Sequence, residues 1–176
     1  MNRNDMSQRE HAIVCNLRKL PQRILSLHDH DHITDLVLHN LCGQECFNFN
    51  KAAYLVDNPD FNCLKGVSGF WQRDGASIPT CNLWESPDEC AERIRSLPFN
   101  TQVREIERCS LKKGMQAELA LAREIAEDLE MKEPQFCVWS LKYGNHGVLI
   151  FEPCEDEYSQ EIVTDGCSLL GFCPVF

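Results

Sequence analysis

Apolar positions in the N-terminal part of the chain recur at helical steps. Ile13, Leu17, Leu20, Ile24 and Leu27 follow one another with Arg18, Lys19, Gln22 and Arg23 between them, which draws one apolar stripe on an amphipathic helix. Pro21 lacks an amide hydrogen, so two helical pieces meeting near Leu20 are expected. Ile33 to Leu41 predicts a further short helix ending near Gly43. From Cys46 onward, Phe49, Ala52, Ala53 and Val56 keep helical spacing until Asn58-Pro59-Asp60, which places Cys46 in the first turn of a helix. Cys63 to Trp71 reads as an extended segment before an Arg73-Asp74-Gly75 turn.

Ser86-Pro87-Asp88-Glu89 combines a hydroxyl cap, a proline at the first helical position and an acidic first turn, so a helix is expected from there to about Leu97. The longest helix is predicted over Gly114 to Met131, with Met115, Leu119, Ala122, Ala126 and Leu129 on one face. Beyond Pro134 the period falls to two. Cys137, Trp139, Leu141 and Tyr143 alternate with Phe136, Val138, Ser140 and Lys142, Gly144-Asn145 suits a tight turn, and His146 to Phe151 supplies a returning strand. Further strands are expected at Glu161 to Thr164 and around Leu169 to Phe172. No repeat or linker interrupts residues 1–176, so a single globular α+β domain is expected, its helical N-terminal and central part packed on a C-terminal antiparallel sheet.

Composition narrows the classes of partner. Among 176 residues, 43% are hydrophobic and 25% charged, the make-up of an ordinary folded domain. Seventeen Lys plus Arg against 27 Asp plus Glu give a formal charge of -10, which repels a phosphate backbone and makes nucleic acid an unsuitable partner. No stretch has the length and apolarity of a membrane span, and the N-terminus carries no apolar segment of a secretory signal. A cytoplasmic location is therefore expected, and with it mostly free thiols among the 11 cysteines. Cys15, Cys109 and Cys137 sit in apolar patterns where a thiol behaves as a small buried hydrophobe.

Two constellations carry candidate chemistry. A thiol at a helix start, as expected for Cys46, has its thiolate stabilised by the helix dipole, and the preceding Cys42-Gly43-Gln44-Glu45 supplies a turn whose amides, near Gln44, would face an oxyanion. His146 opens a strand after a tight turn, and Asp165 follows a predicted strand where a carboxylate would orient that imidazole. The plain alternative makes Cys46 a packing residue and His146 and Asp165 turn residues. The second constellation is His28, His32, Asp35 and His39, which on one helix fall within about 60° of arc. That stripe would suit zinc or iron. Opposite Ile33, Val37 and Leu41, it would equally be the watery face of an amphipathic helix.

Cys46-Phe47-Asn48-Phe49-Asn50 resembles the Cys-Phe-x-x-Asn signature around the nucleophile of arylamine N-acetyltransferases, and Gly144-Asn145-His146-Gly147-Val148-Leu149-Ile150 is similar to the histidine strand of papain-like enzymes. The resemblance is thus to the papain-like and transglutaminase-like thiol enzymes. It implies a papain-like fold, with Cys46 as nucleophile, His146 as base and Asp165 as orienting carboxylate. The expected activity is thiol-dependent acyl transfer or amide or thioester hydrolysis on a small-molecule or peptide acyl substrate. It requires no dissociable cofactor, while a coenzyme A thioester would fit as acyl donor. The competing reading is a non-enzymatic acidic module that docks a protein partner through Phe70, Trp71 and Trp84. For those aromatics, core packing is the plain alternative.

Overall fold

The computed structural model describes residues 8–27, 30, 32–75, 82–110, 115–154 and 159–174. Helices α1 (Gln8–Ser26) and α2 (Ile33–Cys42) lead into strands β1 (Phe49–Asn58) and β2 (Cys63–Trp71). The middle of the chain forms α3 (Gln72–Gly75), α4 (Pro87–Arg95), α5 (Pro98–Arg104), β3 (Glu107–Arg108) and α6 (Met115–Asp128). β4 (Gln135–Ser140), β5 (His146–Pro153) and α7 (Gln160–Ser168) follow, with a 3₁₀ turn over Leu169–Phe172. This is an α+β fold. Its five strands form one antiparallel sheet in the order β3-β2-β1-β5-β4. No helix among the described residues is long and apolar enough to cross a membrane.

Helices cover both faces of the sheet. On one, α1, α2, α7 and the final 3₁₀ turn pack Ile13, Leu20, Val37, Leu41, Val163 and Leu170 against Tyr54, Leu149 and Phe151. On the other, α5 and α6 bring Phe99, Val103, Ile125 and Leu129 onto Leu55, Val148 and Ile150. α4 joins its Cys90, Ala91 and Ile94 to Leu36 of α2.

This double cover corrects the expectation of a helix after Cys46. Residues 51–55 are all buried, because a central strand covered on both sides loses its apolar and polar alternation and imitates a buried helix. The sheet is therefore not confined to the C-terminal quarter, where only β4 and β5 lie. The strands expected at Glu161 to Thr164 and Leu169 to Phe172 are α7 and the 3₁₀ turn. There the Ser159 side chain accepts from the Ile162 amide at 3.3 Å and opens a helix, whose Val163, Cys167 and Leu170 face the core at steps of four and three. Pro21 does not divide α1, which runs through it with Pro21 exposed. α4 forms where the cap signal stood, although the Ser86 side chain makes no cap bond and only its carbonyl accepts, from Cys90.

The two edges of the sheet are finished differently. At β2, Leu64 and Lys65 pair with β3, and the Gly66 amide donates to Ile106 O at 3.0 Å. Next along, the Gly69 amide donates to Asn100 Oδ1 at 2.8 Å, and His39 Nε2 lies 3.3 Å from Gly69 O. α5 comes so close that a Cβ on Gly66 would lie 1.8 Å from Val103 O, which only glycine permits. Asp35 sits beneath this edge at 2% exposure, accepting from Ser68 Oγ at 2.5 Å and Asn100 Nδ2 at 3.3 Å, with Arg104 3.7 Å away. Burial raises the Asp35 pKa against these three partners. Burial likewise lowers that of His39 to about 4, so its imidazole is neutral and donates Nε2–H to Gly69 O.

Candidate functional site

Cys46 lies in the turn between α2 and β1 and is fully buried. Burial pushes its thiol up to about 12, the opposite of what a nucleophile needs. Of the amides expected to face an oxyanion, that of Cys46 is spent on Gly43 O within the turn, as those of Phe47 and Asn48 are on Leu41 O and Gly43 O. Gln44 is exposed, and its carbonyl accepts from Arg9 at 3.2 Å.

His146 stands at the other end of the sheet. The β1–β5 register pairs Phe49 with Pro153 near Cys46 and Asp57 with His146 at the far end, a separation of roughly 26 Å at about 3.3 Å per strand residue. Its carboxylate neighbour is Asp57, with Oδ2 3.7 Å from Nδ1. Asp165 is exposed on α7, where it lines an open groove of about 270 Å³ with Val14, Leu17, Arg18, Ile162 and Leu169. The expected trio of Cys46, His146 and Asp165 is thus not assembled. A turn match in the sequence carries no information about which end of a strand pair each turn occupies.

The histidine stripe is also redistributed. His28 lies outside the described residues. His32 takes a left-handed conformation at the start of α2 and contacts Arg95, while Asp35 and His39 are turned inward to β2 and α5. α2 is buried nearly all round, so its polar residues serve the sheet edge and not water. No group of three or more His, Cys, Asp or Glu that could hold a metal occurs among the described residues.

Among the described residues nine cysteines are free and Cys90 is disulfide-bonded. Cys137 is buried as expected, whereas Cys15 is half-buried and Cys109 exposed. The free thiols of Cys167 and Cys137 are hydrogen-bonded to each other, and that contact together with burial holds the Cys167 pKa well above the ordinary thiol value.

The aromatics that the sequence offered for docking are packed against neighbouring side chains. Phe70 is buried edge-on against His39, Trp71 packs under the Lys51 ammonium at 4.8 Å, and Trp84 under the Arg23 guanidinium at 4.8 Å. Among the described residues the exposed large hydrophobics are Leu25 (75%), Phe61 (80%), Tyr143 (90%) and Phe172 (70%). Two of these tip turns at one end of the sheet, and the turn bearing a third adjoins it. Phe61 tips the 3₁₀ turn Pro59–Phe61 joining β1 to β2, and Tyr143 tips the turn joining β4 to β5. In the order β2-β1-β5-β4 these turns are two strand spacings apart, or about 10 Å, with the Asp57 and His146 pair on the strands between. The turn bearing Phe172 abuts the end of β4, since a Cβ on Gly171 would lie 2.9 Å from Leu141 Cδ2.

Tyr143 has φ 61° and Gly144 φ 73°, the pattern of a type I′ turn, closed by Asn145 N–H donating to Lys142 O at 3.3 Å. The turn is centred one residue before the expected Gly144-Asn145. A tyrosine in left-handed backbone costs about 1–2 kcal/mol, and here the exposed ring recovers little of it by packing.

No protein-family model, curated protein or solved structure matches this chain.

Proposed function

We propose that the chain is a protein-binding module whose recognition surface is the sheet end bearing Phe61, Tyr143 and Phe172, and whose partner is a protein with a basic binding region. The observation that carries this is that three of the most exposed large apolar side chains stand on turns at or beside one end of the sheet. Exposed aromatics in a group supply the anchors that dominate interface energies. The net charge of -10 favours approach of a cationic surface.

The test is affinity purification of the wild-type chain beside a Phe61→Ser, Tyr143→Ser, Phe172→Ser variant. All three side chains are exposed, so the variant should melt with the wild type. Expected is loss of specific partners by about tenfold or more, with the wild-type complex weakening as salt is raised. An unchanged set of partners in a folded variant would remove the reading.

A further inference from the structure

We infer that the open edge of β4 accepts an extended, basic segment of a partner protein as a sixth strand; this deepens the protein-binding reading and rests on it for the existence of a partner. The register decides which backbone groups are available. The Leu141 amide donates to Asn145 O at 2.8 Å, so counting back in steps of two, Trp139, Cys137 and Gln135 exchange their bonds with β5. Phe136, Val138 and Ser140 then direct both N–H and C=O away from the sheet, and none of these groups bonds within the described residues.

The opposite edge of the sheet is closed. There the chain spends a short strand, Asn100 and the buried neutral His39 to satisfy β2. Folded proteins commonly blunt an edge with charge, proline or a bulge. Gln135-Phe136-Cys137-Val138-Trp139-Ser140 contains no charge and no proline, and its pairing with β5 runs without a register shift. An edge left in this state is a template for strand addition.

Charge selects the occupant. α7, which packs on β4, carries exposed Glu161 and Asp165 and no basic residue. With the whole chain at -10, a second copy is repelled and a lysine- or arginine-bearing segment attracted. Tyr143 and Phe172 border the C-terminal end of this edge, so an added strand would run on into the aromatic surface.

The probe is the peptide acetyl-Lys-Val-Lys-Val-Lys-Val-Lys-amide, with a glutamate-for-lysine counterpart, read by residue-resolved amide exchange on the intact chain. Expected is slowing of exchange at Phe136, Val138 and Ser140 by about fivefold or more with the lysine peptide and no effect of the glutamate peptide. Ser140→Pro removes one outward amide from an exposed position and should weaken the lysine peptide by about tenfold with the melting temperature unchanged. No protection at those amides, equal protection by both peptides, or dimerisation of the free chain through β4 would overturn the inference. A natural partner lost by the triple serine variant but kept by Ser140→Pro would overturn it while leaving the aromatic surface standing. The reverse pattern would support the edge and remove the aromatic surface.

Discussion

His39 Nε2 lies 3.3 Å from the carbonyl oxygen of Gly69, so a neutral imidazole closes one edge of the sheet. Its pKa falls from 6.5 to about 4 on folding. A depressed value means that the contribution to stability is complete above the unfolded value and is lost as pH drops through the folded one. Between pH 7 and pH 4 this group should remove roughly 3 kcal/mol. Asp35, raised by burial, acts in the opposite sense, its contribution fading as pH rises through its folded value. Urea unfolding at pH 7 and pH 4.5 checks this: His39→Gln should flatten the acid loss, and an unchanged slope would contradict it.

Thiol reactivity should follow burial. Iodoacetamide should reach exposed Cys109 and Cys154 first, and Cys46 and Cys42 only when the protein unfolds. Peptide mapping after a timed pulse distinguishes them, and early labelling of Cys46 would reopen the nucleophile reading.

Lys51 Nζ donates to Leu129 O and Glu130 O at 2.9 Å each and so closes the C-terminal end of α6. Lys51→Met keeps the aliphatic packing under Trp71 but strands both carbonyls. The expected cost is about 2–4 kcal/mol, measured as a shift in the urea midpoint at constant slope.

Tyr143→Asn creates the Asn-Gly pair that a type I′ turn prefers. Stability should rise by about 1 kcal/mol while partner binding weakens. A variant both less stable and equally well bound would separate Tyr143 from recognition.

Much of the fold was legible where local signals act alone. Ser86-Pro87 opened α4, the stripe from Leu119 to Leu129 gave α6, and the alternation after Pro134 gave β4 and β5. β1 was hidden because burial on both faces erased its period, and α7 because Ile162, Val163 and Thr164 are β-branched residues held in a helix by tertiary packing. The same limit applied to function. His146 opens a strand after a tight turn as expected, but Cys46 precedes a strand and not a helix, and the β1–β5 register, a long-range property, sends the two to opposite ends. Phe61 and Tyr143 were within reach, because both adjoin turn signals already visible, Asn58-Pro59-Asp60 and Gly144-Asn145, and a large side chain at a turn tip has little to pack on.

The central position of β1 has a consequence for biosynthesis. β1 and β2 leave the ribosome as neighbours, but β5, which must take the other side of β1, emerges only after the whole helical middle of the chain. Until then the nascent hairpin holds an uncovered apolar flank, which is where chaperones would engage it and where heterologous expression would go wrong first.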